Sequence, residues 1–217
     1  MDFSILVYVI IVIIVLYYLI SFWSAESIDL VAAQTTAEEE IIKKEKIKAS
    51  PNCAYSLWIF VSDMTPVSGG TVSERKIFER TDIGMSLDTS NKLTVKLGTT
   101  PIISPTDSIS IPLQKWVNIL VSIESTSIVL FIDGKMAASK IFSDFVAAES
   151  DTTVGGPGAF SGEISHFKYF EDYITVQDAW EIYKHGYGSG FFAGLINKYN
   201  LKVAFLKDNS EVTSFKI

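Results

Sequence analysis

The sequence has few of the residues from which catalytic and metal sites are built. It contains one cysteine, Cys53, and two histidines, His166 and His185. A single cysteine excludes an intramolecular disulfide, and the motifs H-E-x-x-H, G-x-S-x-G and C-x-x-C are absent. These absences exclude the common zinc peptidases, serine hydrolases and dithiol oxidoreductases. We predict a protein that is not an enzyme, with no catalytic, cofactor-binding or metal-ligating residue assigned and no cofactor.

Positive charge is also scarce. The chain carries 18 Lys and Arg residues against 25 Asp and Glu residues, a net charge of −7. A nucleic-acid-binding surface requires a basic patch or stripe, so the composition predicts no nucleic-acid partner. No N-x-S/T glycosylation sequon occurs either. Together with the lone cysteine, this favours a protein that is assembled on the cytosolic side of a membrane.

Charge of either sign is missing from the N-terminal segment between Phe3 and Ala25. As a helix rising about 1.5 Å per residue, this run would cross the roughly 30 Å hydrocarbon core of a bilayer. We predict a single-pass membrane anchor over residues 1–25, contacting lipid through residues 3–25. A cleaved signal peptide and a buried core helix are the alternatives; the first usually has a basic start and a shorter apolar core.

The orientation of this anchor follows from the distribution of lysine and arginine. None lies between Trp23 and Lys43, while Glu26 and Asp29 follow the apolar run closely. The positive-inside rule therefore gives no reason to hold the C-terminal side in the cytoplasm, and we expect the C-terminal domain on the opposite side.

Residues 26–50 have the composition of a stalk or linker. Thr36 followed by Glu39 is a capping-box pattern, and acidic residues precede lysines as the helix dipole favours. The segment is predicted to be a solvated spacer helix or an opening strand, with a partner-binding helix as the other possibility.

From Pro51 onward, short β-type runs alternate with turn residues, a pattern typical of an antiparallel sandwich. Within the run 92–98, Leu93, Val95 and Leu97 alternate with polar residues, whereas the run 116–123 is apolar enough to be covered on both faces. The remaining predicted strands cover residues 55–61, 75–80 and 84–89.

Three local signals complete the predicted sandwich over residues 51–217. Asp133-Gly134 is a two-residue hairpin pair that accommodates positive φ, which explains Asp133 without a catalytic or calcium role. A short helix is predicted to begin after Thr175 and to end at Gly186, with Val176, Ala179, Trp180 and Tyr183 on its packed face. A C-terminal hairpin is predicted over about 191–217.

The order of these segments resembles the laminin G/concanavalin A-like family, a pentraxin-like jelly roll. The resemblance rests on an ordered series of motifs over roughly residues 50–190: YSLWIFV, IPLQKWVNILVSI, VLFIDGKMAAS, GAFSGEISHFKYF and DAWEIYKHG. The particular residues in these motifs are most similar to those of membrane-anchored and capsid-associated virion proteins of large DNA viruses of algae. This resemblance implies an all-β sandwich with one short helix and an architectural role in a virion.

Members of this fold that cleave or bind sugars carry acidic residues that can be sought here. Glycoside hydrolysis needs two carboxyl groups a few ångströms apart, and neither Glu79 nor Glu163 lies in such a strand motif. Calcium-dependent sugar binding uses clustered acidic ligands on rim loops. The loop aspartates form no dense cluster in the sequence: Asp82, Asp88, Asp107, Asp144 and Asp151.

We therefore predict a non-enzymatic minor capsid protein that links a membrane to capsid or other virion proteins through its sandwich. Its expected location is the inner membrane of the virion, with the sandwich on the capsid-facing side. The alternative is a surface lectin or adhesin that binds host glycans. A glycan-cleaving enzyme is the third hypothesis.

Overall fold

A computed structural model describes residues 27–187, apart from 33–34, 38–39, 67–73 and 144. It also describes the backbone of residues 202–207 and 210–216, and the single residues Ile11 and Val15. Two antiparallel β-sheets face each other in this region, and one α-helix lies on the outer face of the larger sheet.

The larger sheet has seven strands, in the order β1-β13-β4-β9-β10-β11, with the short β2 also paired to β13. Its strands are β1 (Ser27–Val31), β2 (Thr35–Thr36), β4 (Cys53–Pro66), β9 (Trp116–Glu124), β10 (Ser127–Ile132), β11 (Lys135–Ile141) and β13 (Phe160–Phe170).

The smaller sheet has six strands, in the order β3-β12-β5-β6-β7-β8. Its strands are β3 (Glu40–Ile42), β5 (Glu74–Glu79), β6 (Ile83–Asp88), β7 (Leu93–Leu97), β8 (Thr100–Ile103) and β12 (Thr152–Val154). Two 3₁₀ turns, Lys44–Lys46 and Pro105–Asp107, lie in the connections.

The core lies between the two sheets because alternate residues of each strand point inward. On β7 the inward residues are Leu93, Val95 and Leu97, all buried, as the alternation predicts. Strand β9 is buried along nearly its whole length: Ile119 and Val121 belong to the inner core, while Leu120 packs on the outer face. The prediction that β9 is covered on both faces is confirmed.

The hairpin between β10 and β11 has the predicted turn. Asp133 and Gly134 have φ values of 50° and 71°, so both central residues are left-handed. The Asp133 carboxylate accepts a hydrogen bond from the backbone N–H of Asn118 at 3.0 Å. Asp133 is therefore a turn residue tied to the neighbouring strand.

The helix α1 (Val176–His185) begins and ends as predicted. Thr175 Oγ1 accepts from the backbone N–H of Asp178 at 3.3 Å, and Gly186 ends the helix with φ 77°. Of the predicted packed face, Ala179 is confirmed as buried against the sheet, whereas the prediction is wrong at Val176 and Trp180, which are exposed. Ile182, which was not predicted, packs beside Ala179. Because Ala179 and Ile182 face the sheet, Val176 lies on the exposed side of the helix.

Residues 27–50 contribute strands to both sheets. Strand β1 pairs with β13 from Ser27↔Phe170 onward, and β3 pairs with β12 at Ile42↔Thr152. Thr36, the predicted helix cap, lies in β2 opposite Glu163. Of the alternatives for this segment, the opening strand is the one present, and the described part of the predicted stalk is built into the sandwich. Pairing with distant strands outweighs the local capping signal.

The predicted anchor, residues 1–25, lies outside the described residues except for Ile11 and Val15, both in helical conformation. None of the helices in the described part of the chain has the length and apolar character required to cross a bilayer. At the other end, β14 (Lys202–Lys207) and β15 (Ser210–Lys216) form an antiparallel pair within the predicted C-terminal hairpin. The assignment of this pair to the sandwich stays a prediction.

Candidate functional site

A continuous row of six aromatic rings lies on the outer face of the seven-stranded sheet and on α1. Successive ring centroids are 4.8–5.7 Å apart. The row, which we call the aromatic row, runs in this order: Trp180, Tyr183, Trp58, Tyr187, Trp116 and Phe60. Two contacts are nearly parallel stacks, Trp58 with Tyr183 at 19° and Trp116 with Tyr187 at 12°.

Strand register places three of these rings on one face. In the pairing of β4 with β9, Trp58 is opposite Asn118 and Phe60 is opposite Trp116. Because side chains alternate along a strand, Trp58, Phe60 and Trp116 all point away from the inner core. The side-chain amide of Asn118 donates to Ser56 Oγ and to the Leu57 carbonyl, both at 3.3 Å, and so ties the two strands together beneath the row.

The helix supplies the other end of the row through a close contact with a turn. Trp180 and Tyr183 are three residues apart and share a face of α1. A Cβ atom built at Gly134 would stand 2.8 Å from the Tyr183 Cβ and 3.0 Å from the Trp180 ring. Only glycine permits this approach, so the Asp133-Gly134 turn also fixes the position of the two helix rings.

Tyr187 is held by a backbone contact. Its carbonyl accepts a hydrogen bond from Ser165 Oγ at 3.2 Å, and Ser165 is opposite Trp58 in the pairing of β13 with β4. The ring of Tyr187 is thereby placed between Trp58 and Trp116.

The rings of the row differ in their exposure to solvent, from the buried Trp58 through the half-buried Tyr183, Trp116 and Phe60 to two open rings. Trp58 is only 6% exposed, whereas Trp180 is 41% exposed and Tyr187 is 45% exposed. Aromatic rings that are packed on one side and open on the other form an amphipathic surface, suited to ligands that have both apolar faces and hydroxyl groups.

Lysine–carboxylate pairs flank the row. The Nζ atoms of the three lysines lie 2.9–3.5 Å from carboxylate oxygens, in the pairs Lys115–Asp133, Lys168–Asp29 and Lys184–Glu181. Each pair contains one charge of each sign, so the three pairs together add no net charge beside the rings.

Both histidines lie near Tyr187 and Lys168. His166 occupies a bulge in β13 with φ 49°, and its Nδ1 is 2.8 Å from Ser165 Oγ. His185 Nδ1 is 2.9 Å from the Glu181 carbonyl. Burial, followed by the charge of Lys168, lowers the pKa of each imidazole below its usual value. Each imidazole is therefore biased toward its neutral form.

The loop aspartates considered as calcium ligands are dispersed, and Asp144 lies outside the described residues. Asp82 is buried against Arg80, with 3.3 Å between carboxylate and guanidinium, and Asp107 pairs with Lys140 at 2.7 Å. Asp151 accepts from the Lys44 backbone, and Asp88 from the Lys92 backbone. Within the described ranges, no three His, Cys, Asp or Glu side chains converge as metal ligands would.

Near Asp88, a buried guanidinium group bonds oxygen atoms of the kind that calcium ions also bind. Arg75 is buried, and its Nη2 donates to the Asp88 carbonyl at 2.6 Å and to the side-chain oxygen of Asn91. Its Nη1 lies 3.5 Å from the Asp63 carbonyl. This rim is held together by the protein's own positive charge.

The two glutamates considered as catalytic carboxylates lie in different sheets. Glu163 is in β13, opposite Phe60, whereas Glu79 is in β5 and pairs with Lys76 at 2.6 Å. They do not form a carboxylate pair of the kind that glycoside hydrolysis uses. The assignment of the protein as non-enzymatic stays a prediction.

A second buried polar cluster lies at the edge of the inner core. Arg80 donates to the Tyr55 hydroxyl at 2.7 Å and to the Ala148 carbonyl. Cys53, at the start of β4, is buried nearby, and burial raises the pKa of its thiol to about 12. These side chains are enclosed and serve packing.

Sequence analysis did not identify the aromatic row. Its members come from three distant segments, and Trp58 and Phe60 lie in a run that is typical of a buried strand. The alternation of Trp58 and Phe60, together with Trp116, was the available signal for a shared face.

The two sheets form a β-sandwich that is similar to several solved structures. One similar solved structure is domain 4 of AbnA, a GH43 extracellular arabinanase from Geobacillus stearothermophilus, in complex with arabinotriose. It is 18% identical with a TM-score of 0.50, and the match covers 63% of this chain and 68% of that one.

A second similar structure is the ligand-binding domain of botulinum neurotoxin serotype D in complex with N-acetylneuraminic acid. It is 17% identical with a TM-score of 0.57, covering 75% of this chain and 46% of that one. A third is the binding domain of Paraclostridial Mosquitocidal Protein 1, 13% identical with a TM-score of 0.51, covering 74% and 47%.

These similarities show the sandwich fold and extend over less than half of each toxin domain. No protein-family model matches this sequence, and no curated protein sequence matches it either.

Proposed function

We propose that this protein is a non-catalytic carbohydrate-binding protein that holds its ligand on the aromatic row. The observation that carries the proposal is the pair of half-open rings, Trp180 and Tyr187, which pack against the half-buried Tyr183 and the buried Trp58. The apolar faces of sugar rings pack against aromatic faces, while their hydroxyl groups remain free to bond polar neighbours and water.

The similar structures support this choice among binding functions. The AbnA domain was solved with arabinotriose, and the serotype D toxin domain with N-acetylneuraminic acid. Sandwiches of this shape therefore include domains that hold sugars. Because fold alone does not fix function, the proposal rests on the aromatic row, and the shared architecture adds support.

The proposed binding does not depend on calcium. The rim oxygens of Asp88 and Asn91 already bond the buried guanidinium of Arg75. We expect a metal chelator to leave glycan binding unchanged.

The test measures glycan binding by the full-length chain, kept in solution with a detergent that has no sugar headgroup. Wild type is compared with Trp180→Ala and Tyr187→Ala on a glycan array and by calorimetry. Removing either ring should weaken binding about tenfold, corresponding to roughly 1.4 kcal/mol of lost contact. Tyr173→Ala is the matched control, because Tyr173 is 40% exposed but not part of the aromatic row.

A folded wild-type protein that binds no glycan would refute the proposal. Binding that survives both ring variants would move the site elsewhere. The virion partner, the lipid contact and the location predicted from the sequence have no support in the described residues or the similar structures, and they stay predictions.

A further inference from the structure

Resting on the proposed function, we infer that the aromatic row selects extended, uncharged oligosaccharides and discriminates against both single sugars and acidic sugars. One similar structure was solved with arabinotriose and another with N-acetylneuraminic acid, so the similar structures do not choose between these classes of ligand for this chain.

The preference for an extended chain comes from the spacing of the open rings. Trp180 and Tyr187 are not neighbours in the row, because Tyr183 and Trp58 lie between them. A single sugar ring can cover one open ring at a time. A ligand that contacts both must reach across the stacked pair Trp58–Tyr183, and its second contact is then intramolecular, which raises affinity without any new type of interaction.

The preference for an uncharged chain comes from the electrostatics of the flanks. Lys115, Lys168 and Lys184 already contact Asp133, Asp29 and Glu181. An acidic sugar that recruited one of these lysines would displace a carboxylate and leave it near the new negative charge. Like charges at close range oppose binding, whereas a neutral sugar leaves all three pairs intact.

The two imidazoles near the row do not supply a positive charge that would favour an acidic sugar. His166 and His185 are biased toward their neutral forms by their surroundings. The polar groups beneath the rings, Asn118 and Ser56, are uncharged and bond each other. Both groups are buried, so the surface offers mainly stacking on the open rings. Glu163, opposite Phe60 on β13, adds a negative charge on the same face, which favours a neutral glycan chain over an acidic one.

The experiment titrates the full-length chain with neutral mono-, tri- and pentasaccharides of glucose, xylose and arabinose. Sialyllactose and an oligogalacturonide serve as the acidic probes, and each titration is repeated at low and high salt. The pentasaccharide of the preferred sugar should bind at least about tenfold more tightly than its monosaccharide, with no salt dependence. Trp180→Ala should reduce this ratio toward one, while Tyr173→Ala should leave it unchanged.

The outcomes separate this inference from the proposed function. Acidic sugars that bind more tightly, with affinity falling as salt rises, would overturn the inference and leave carbohydrate binding intact. Equal affinity for mono- and pentasaccharides would do the same. Failure of every probe to bind, with the near-ultraviolet circular dichroism of a packed core retained, would overturn the proposed function and this inference together.

Discussion

The outer face of the seven-stranded sheet is covered at one end and open at the other. At the covered end, α1 buries an aliphatic and aromatic cluster that includes Leu120, Phe131 and Phe170. At the open end, Trp58, Trp116 and Phe60 continue the same face with Tyr187 against them. One sheet face therefore provides stability where Ala179 and Ile182 of α1 cover it, and it supports the aromatic row where the rings of α1 and Tyr187 meet those of the sheet.

The largest effect should come from the covered end. Phe131 is fully buried beneath α1, so Phe131→Ala removes a large side chain and leaves a cavity. We expect a loss of about 3–5 kcal/mol in the free energy of unfolding, measured by urea denaturation with tryptophan fluorescence. Glycan affinity of the folded fraction should remain close to wild type.

The control for this prediction is Ile141→Ala, on an edge strand where Ile141 is 85% exposed. It should change stability by less than about 0.5 kcal/mol. Equal losses from Phe131→Ala and Ile141→Ala would contradict the stabilising role of the cluster beneath α1.

An intermediate effect is expected where the two ends meet. Gly134→Ala places a methyl group against Tyr183 and Trp180 and also requires a left-handed alanine. We expect a loss of about 1–3 kcal/mol in stability, together with weaker glycan binding because both rings must shift.

Gly98→Ala separates the two causes of this loss. Gly98 has φ 56°, but a Cβ atom there would meet nothing within 4 Å. This variant should lose stability through backbone strain alone and keep its glycan affinity. If Gly98→Ala and Gly134→Ala weaken glycan binding equally, the Asp133-Gly134 turn does not fix the positions of the Trp180 and Tyr183 rings.

The smallest effect should be a pH dependence at the open end. The pKa values of His166 and His185 are lowered in the fold, by burial first and then by Lys168. At a pH between the lowered pKa of the folded protein and the ordinary histidine pKa, the unfolded chain binds more protons than the folded protein. The stability that depends on neutral imidazoles is therefore complete above the ordinary pKa of about 6.5 and is lost as pH falls below it.

The measurement is the urea midpoint at about pH 7.5 and about pH 5.5, on either side of the ordinary histidine pKa. The double variant His166→Asn, His185→Asn should lose less stability on acidification than wild type. The carboxyl groups of Asp29 and Glu181 also face these imidazoles. An identical decrease in both proteins would rule out the histidines as its source.

Local signals in the sequence predicted the parts of the fold that local chemistry decides. Asp133-Gly134 specifies its turn, Thr175 caps the helix, and the alternation of Leu93, Val95 and Leu97 fixes an inner face. The strand assignment of residues 27–50 depended instead on pairs such as Thr36↔Glu163, which are far apart in sequence. No local pattern encodes such a pairing, and the capping motif at Thr36 pointed to a helix.

The aromatic row escaped prediction for a related reason. The sequence shows that Trp58 and Phe60 can share a face of one strand, but it does not show where the covering helix ends. The open area depends on the packing of α1 on the sheet through Ala179 and on the close approach of Gly134 to Tyr183 and Trp180. Both are tertiary properties, and they decide which rings remain accessible.

The buried thiol of Cys53 can be used to detect rare local opening of the sandwich. Cys53 is enclosed in the inner core, and its pKa of about 12 keeps it protonated at neutral pH, whereas alkylating reagents attack the thiolate. Modification therefore requires that the sandwich first open around β4. The alkylation rate of the Cys53 thiol, followed by intact mass spectrometry, then measures how often the core opens around β4. No probe has to be introduced.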